Sequence, residues 1–263
     1  MDTPFEKIWI GTDLGSYRPC GGTYDGYPLE SLPPLNDSLL DGSFRWLSAK
    51  PVKPSASAEK KVARLTAAAQ KLGLTLPREL GYLLSRPSLY GRIPSCTACE
   101  WDLGAEPVAN VAEPGAFTVR VMRDQQDCCF WYLYLPPTGA PYMVNSPIPF
   151  DDPEVQVDQE TAIHNLCYVA PTFEQFVYRF WMENMLWDLV NGKNSTFTAD
   201  QLAYLSHYGK PPAPAPAKPK PAAKARPSAK PVKAKKPTKR AAPKKAAAKL
   251  ARKPAAKKPA KKK

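Results

Sequence analysis

Four cysteines form the most suggestive chemical pattern in the sequence. Cys96 and Cys99 enclose two residues, which is the spacing of half a zinc site, and Cys128 and Cys129 are adjacent. A strong zinc pattern joins two C-x₂-C pairs, or one such pair with two spaced histidines. The adjacent pair falls in an expected strand, whose neighbouring side chains point to opposite faces, so both sulfurs could not easily reach one metal. Buried or half-buried thiols without a cofactor are the favoured interpretation, and a metal at Cys96 and Cys99 stays open.

The possible sets of catalytic residues are also incomplete. A redox role would place the C-x-x-C motif at the start of a helix after a strand, and the flanking residues do not favour that arrangement. His164 lies three residues before Cys167, but no orienting partner or oxyanion-hole motif is recognisable. Glu100 and Asp102 would share one face of a strand, as ordinary surface carboxylates do. We therefore expect no enzyme, and an enzyme using Cys99 or Cys167 is the alternative from another class.

The end of the chain carries a different kind of chemistry. Residues 210–263 contain 18 lysines, 3 arginines and no acidic residue. They have no aromatic side chain and almost no large apolar one, so burial cannot offset the entropy of ordering, and the segment is predicted to be disordered. The composition resembles the C-terminal tails of linker histones and of histone-like bacterial proteins. A spacing or solubilising tail is the alternative.

Cations of this density favour binding to nucleic acid, because contact with phosphates releases condensed counterions. The tail has no aromatic side chains for base stacking and no scaffold for groove readout, so the binding is predicted to lack sequence specificity. The sequence alone does not distinguish DNA from RNA. The candidate phosphate-contacting residues are Lys235, Lys236, Lys239, Arg240, Lys244, Lys245, Lys249, Arg252, Lys253, Lys257, Lys258, Lys261, Lys262 and Lys263.

The remaining chain has the opposite charge. Residues 1–209 hold 16 basic and 24 acidic residues, a net charge of −8, whereas the tail carries +21. No secretory signal and no apolar stretch of about eighteen residues is recognisable, so no membrane partner is expected. The six cysteines are then typical of reduced thiols. A cytoplasmic protein is predicted, associated with the nucleoid through its tail.

The elements that position these residues follow from periodicity. Residues 1–57 are rich in Gly, Pro and Tyr and are predicted to be an irregular extension and linker with one or two short strands. Ser57 is expected to cap a helix with one apolar stripe, and Gly73 to end it. Pro77 suits the first turn of a second short helix. The stripe consists of Val62, Leu65, Ala69 and Leu72.

Strands and a long helix follow. Residues 117–121 alternate as a half-buried strand does, 128–135 are apolar on both faces as in a central strand, and 142–144 suggest a third. A helix is predicted from Thr172 to Val190, apolar around most of its circumference and therefore more often core than a partner-binding face. A short helix over residues 199–208 ends the domain. The predicted fold class is α+β, an antiparallel sheet packed with N- and C-terminal helices over residues 58–209.

Two motifs in this order resemble a known superfamily. An amphipathic helix precedes residues 72–80 (LGLTLPREL), and residues 169–176 (VAPTFEQF) open the closing helix after the strands. Over roughly residues 58–192 the chain resembles the SUKH superfamily, named partly after a yeast cell-wall-assembly regulator. Its members share a Leu-Gly…Leu-Pro helix junction and a late apolar-Ala-Pro/Asp-Ser/Thr-Phe-x-x-Phe helix start. The first fifty residues and the tail depart from that pattern.

The resemblance implies a domain without catalytic residues that acts by binding proteins. Many bacterial members resemble immunity proteins, which neutralise partner toxins that are often nucleases. The leading hypothesis is therefore a non-enzymatic protein-binding module, with an unknown protein partner for residues 58–209, that the tail tethers to nucleic acid. The alternative is an immunity protein whose acidic body blocks a toxin, with the tail incidental.

Overall fold

The computed structural model describes residues 3–192 and 196–209. The predicted disordered tail, residues 210–263, lies outside the described residues. Within them the chain folds into an eight-stranded, mostly antiparallel sheet with six α-helices, and the predicted α+β class is confirmed. No helix among the described residues is both long enough and apolar enough to span a bilayer.

The strands are β1 (Glu6–Gly11), β2 (Asp25–Pro28), β3 (Glu100–Trp101), β4 (Val108–Asn110), β5 (Ala116–Arg123), β6 (Phe130–Leu135), β7 (Tyr142–Ser146) and β8 (Cys167–Ala170). The helices are α1 (Ala56–Lys71), α2 (Arg78–Leu84), α3 (Pro87–Tyr90), α4 (Gln159–Asn165), α5 (Phe173–Val190) and α6 (Ala199–Ser206).

The sheet runs in the order β2-β1-β8-β7-β6-β5-β3, and β4 also pairs with β5. Neighbouring strands are antiparallel except β1 and β8, which are parallel. Each residue of β6 is buried, as predicted for a central strand covered on both faces. The strand begins at Phe130, however, and its predicted start at Cys128 is wrong. Cys128 belongs to a tight turn, in which its N–H donates to Asp124 Oδ1 over 2.9 Å.

Each face of the sheet has its own apolar layer. Trp131 and Leu133 of β6 pack on one side against the helices α1, α2 and α5. Tyr132 and Tyr134 point to the opposite side, where α4 contributes Ala162. Helix α5 contacts the first layer and also a third cluster that includes α6. Its burial on most sides confirms the expectation that this apolar helix is mainly core.

The first fifty residues belong to the same structure. Strand β1 lies between β2 and β8, Trp9 is buried, and Phe44 is completely enclosed in the main core. The one or two short strands predicted here are therefore present as β1 and β2. The division of residues 1–57 from 58–209 needs correction, because the N-terminal segment completes the sheet and covers apolar surface of α5.

The helix boundaries follow local capping chemistry. Ser55 and not Ser57 caps α1, with its Oγ accepting from the Ala58 N–H at 3.4 Å. Gly73, at φ +72°, ends the helix as predicted, since this left-handed conformation favours glycine. Leu72 departs from the predicted stripe and is 48% exposed. Pro77 is the residue before α2 instead of its first turn.

The late helices were predicted more closely. Thr172 caps α5 with its Oγ1 accepting from the Gln175 N–H at 3.1 Å, and the helix ends at Val190, before Gly192. Thr198 and Gln201 form a capping box at the start of α6. That helix ends at Ser206, two residues before the predicted end.

Candidate partner-binding site at the sheet edge

On its outer side β5 pairs with two short segments, β3 and β4, and no other strand of the described residues pairs with β3. The N–H of Asp102 donates to Val121 O at 3.1 Å, and the N–H of Gly104 donates to Arg120 O at 2.9 Å. Successive N–H groups along an extended chain point in opposite directions. The N–H groups of Trp101 and Leu103 are therefore directed away from β5. Two outward donors two residues apart form a template for one additional strand.

Two clefts follow this edge on its helical side. The larger, of about 580 Å³, is lined by apolar residues such as Trp101 and Phe180 and by polar residues such as Glu100 and Gln125. The smaller, of about 160 Å³, lies between the edge and the start of α1. The rings of Tyr90 and Trp101 border both clefts, with their centroids 5.9 Å apart. Clefts beside a free edge can receive alternate side chains of an added strand.

An ion-pair network occupies the same edge. Arg123 contacts Glu100 at 3.4 Å, Asp102 at 3.2 Å and Asp127 at 2.5 Å. The structure therefore brings Glu100 and Asp102 together, as their spacing predicted, and joins them through one guanidinium. The pKa of Arg123 is raised, first by its hydrogen bond to Asp127 and then by the charge of that carboxylate.

A second arginine extends this network. Arg120 contacts Asp102 at 3.1 Å and Asp151 at 3.2 Å. Together the network holds four carboxylates and two guanidiniums, so its net charge is −2. An edge with this excess favours a cationic partner.

The cysteines do not assemble into a site. The described residues contain no group of three or more His, Cys, Asp or Glu side chains placed to hold a metal ion. Cys128 Sγ donates to Asp124 Oδ2 at 3.0 Å, and Cys129 Sγ accepts from Asn145 Nδ2 at 2.8 Å. Cys99 Sγ instead contacts the Tyr24 hydroxyl at 3.5 Å. Each of these thiols has its own partner, and the candidate zinc arrangement is not formed.

Thiolate chemistry also lacks electrostatic support. Burial raises the pKa of Cys96 to about 11, and the hydrogen bond to Asp124 raises that of Cys128 to about 11. Burial, followed by the charge of Glu6, raises the pKa of Cys167. His164 is exposed on α4, and within the described structure no hydrogen bond joins it to Cys167. A catalytic thiol needs a lowered pKa, which these surroundings do not provide.

Sequence reasoning missed two buried carboxylates on α5. Glu183 accepts from Trp9 Nε1 and, through both oxygens, from the Arg18 guanidinium, each at 2.7 Å. Although burial alone would lower it, the pKa of Arg18 is raised by contact with Glu183. Glu174 accepts from Trp46 Nε1 at 3.0 Å and from the Gly42 N–H. A charged residue on a helix that is apolar nearly all round is the signal that could have found them.

A further cavity, of about 320 Å³, lies between residues 33–36 and α6. Tyr204 lines it, but the Tyr204 hydroxyl is already engaged, since it donates to Glu183 at 2.7 Å and accepts from Arg179 at 2.9 Å. The cavity therefore adjoins the structural cluster around Glu183, and the sheet edge is the stronger candidate for a binding site.

The predicted nucleic-acid contacts, from Lys235 to Lys263, lie outside the described residues. Comparisons with protein-family models, with curated proteins and with solved structures found no match.

Proposed function

We propose that the protein is a non-enzymatic adaptor. The structured residues bind a partner protein at the sheet edge, and the basic tail holds the complex on nucleic acid. The observation that carries the first part is the pair of outward N–H groups at Trp101 and Leu103 beside two clefts of mixed apolar and polar lining. The resemblance to the SUKH superfamily supports the same role.

The chemistry of the edge describes the strand that it would accept. One face of the added strand would meet the rings of Tyr90 and Trp101, which line both clefts. Its opposite face would meet the network of Arg120 and Arg123, in which carboxylates are in excess. An extended segment that alternates apolar and basic residues satisfies both faces.

A synthetic peptide that alternates lysine and valine tests this edge on the full-length protein. Amide hydrogen exchange should slow at Trp101 and Leu103 when the peptide binds, because their N–H groups acquire acceptors. The Asp102 and Gly104 amides already donate to β5 and serve as the internal reference. A peptide of alternating glutamate and valine is the control for charge. Unchanged exchange at Trp101 and Leu103 would overturn the edge as the binding site.

A variant that lacks the Leu103 N–H tests the hydrogen bond that this group would donate to the bound peptide. Leu103→Pro removes an outward donor that β5 does not use, whereas Leu103→Ala shortens the side chain and keeps the donor. We expect the proline variant to lose most of the peptide affinity and the alanine variant to retain more. Equal affinities of the two variants would count against strand addition. Near-ultraviolet circular dichroism checks that both remain folded.

The tail carries the second part of the proposal. If about ten of its cations meet phosphates, the logarithm of the DNA affinity falls with the logarithm of salt concentration with a slope of about −9. Deletion of residues 210–263 should remove most of this slope. Replacing the tail lysines by glutamine keeps the length and the proline spacing, and should have the same effect. A slope that survives both changes would refute the tether.

An immunity role is the second candidate. Residues 124–178 contain eight acidic residues and no lysine or arginine, and Asp152, Glu154 and Glu160 among them are exposed. Such a surface suits a basic toxin. Rescue of cells from the product of a neighbouring toxin gene by residues 1–209, as well as by the full chain, would support this role over the adaptor.

A further inference from the structure

The acidic character of residues 1–209 is not evenly distributed. Residues 45–78 hold eight of their 16 basic residues and only one of their 24 acidic residues, Glu59. The segment therefore carries a net charge of +7, and the rest of residues 1–209 carries −15. Helix α1 lies at the centre of this basic segment.

The cations of α1 occupy its solvent face. Ala58, Leu65 and Ala69 are buried and define the side that packs on the core. At 100° per residue, Lys60, Arg64 and Lys71 fall on the opposite side, and all three are exposed. The helical rise separates Lys60 from Lys71 by about 16 Å along the axis. We call these three residues the α1 basic face.

Several other arginines of the described structure are engaged by protein atoms. Arg18, Arg120 and Arg123 form ion pairs, and Arg86 donates to the carbonyl of Val52. Within the described residues, no carboxylate pairs with Lys60, Arg64 or Lys71. Three unpaired cations on one rigid helix form a preorganised set of charges, flanked by the exposed Lys50, Lys53 and Lys61.

We propose that the α1 basic face is a second nucleic-acid contact, which binds the phosphate backbone of duplex DNA without reading its bases. A duplex carries one negative charge per about 1.7 Å of its axis. The cations of the α1 basic face extend over about 16 Å, so they can contact phosphates at many positions along a duplex. Ala63 and Ala67 are exposed beside the cations, and their small side chains allow close approach. One large apolar side chain, Leu72, is exposed next to Lys71, but α1 has no aromatic residue of the kind that dominates protein interfaces.

This inference rests on the proposed function, because it assigns the same ligand to a second site on the chain. Two linked contacts raise the affinity through effective concentration. The α1 basic face would also bring the folded residues themselves onto DNA, which a tail contact alone does not require.

Lysine acetylation of the full-length protein, with and without a mixed-sequence DNA duplex, tests the contact directly. Modification of Lys60 and Lys71, measured by mass spectrometry, should slow several-fold when DNA is bound. Lys7 is exposed outside this segment and should keep its rate. If the tail lysines are protected and Lys60 and Lys71 are not, the α1 contact is wrong and the tether stands. If neither set is protected, both proposals fail.

Charge neutralisation provides an independent measurement. In the full chain, Lys60→Gln, Arg64→Gln and Lys71→Gln together should make the salt slope of DNA binding less negative by about 2.7, at about 0.9 per phosphate contact. Glutamine is a good helix former, so α1 should remain intact. Arg92→Gln removes an exposed arginine outside the segment and should leave the slope unchanged. Lys60→Arg with Lys71→Arg should preserve it. An unchanged slope in the triple variant overturns the α1 contact.

Discussion

The molecule contains two groups of carboxylates that differ in burial. The buried group contacts arginine and tryptophan side chains, and the group at the sheet edge contacts arginine. Glu174 and Glu183 are buried on α5, where they accept from groups of the first fifty residues. Glu100 and Asp102 lie at the sheet edge, where both contact the same partly exposed side chain of Arg123. Burial makes an unpaired charge costly, whereas exposure lets water replace a lost partner. The first group therefore maintains the fold, and the second remains available for a partner.

The largest effect is expected at the buried pair. Arg18→Met leaves Glu183 charged without its guanidinium and should lower the free energy of unfolding by about 3–5 kcal/mol. Urea denaturation measures this loss. Combining Arg18→Met with Glu183→Met removes the stranded charge and should recover part of the stability. If the double variant is as unstable as the single one, lost packing and not the unpaired charge is the cause.

Glu174 offers a smaller, pH-dependent effect. Burial raises its pKa above the usual 4.5, against the lowering effect of hydrogen bonds from Gly42 and Trp46. The native state then binds the proton more tightly than the unfolded state, so ionisation costs stability as the pH rises above 4.5. The stability of the wild type relative to Glu174→Gln should therefore fall from pH 4.5 towards neutrality, as followed by urea denaturation. A relative stability that increases with pH would contradict this account.

The smallest effect on folding is expected at the edge. Arg123→Gln breaks three exposed ion pairs, each of which water can replace, and should leave the thermal midpoint of unfolding close to that of the wild type. The same change uncovers Glu100, Asp102 and Asp127, so affinity for the lysine–valine peptide should rise at low salt and the gain should shrink at high salt. A marked drop in the thermal midpoint would indicate that this network stabilises the fold, as the buried carboxylates do.

Local patterns predicted much of the fold. The long helix was predictable from Thr172 and Gly192, because capping and termination are decided within a few residues. The central strand was predictable from its unbroken apolar run. The role of the first fifty residues was not, since Trp9 pairs with a carboxylate 174 positions away and Gly/Pro-rich spacing has no period that reveals such a contact.

The candidate sites differ in the same way. The outward N–H groups of Trp101 and Leu103 depend on the pairing of residues 102 and 104 with β5, and β3 is too short to show a periodic signal. The separate partners of Cys99, Cys128 and Cys129 are likewise a result of tertiary packing. The charges of α1, in contrast, follow from its helical period once the buried side is known.

The parallel pairing of β1 with β8 has a consequence for the order of assembly during synthesis. Lys7 pairs with Tyr168, so about 160 more residues must be synthesised after β1 before its neighbour β8 exists. At roughly 5–20 residues per second, that interval is about 8–32 s, in which β1 and β2 can form only a hairpin. A ribosome that stops before Cys167 therefore leaves both β1 and β7 with open edges, and the nascent chain is most exposed to misassociation just before β8 emerges.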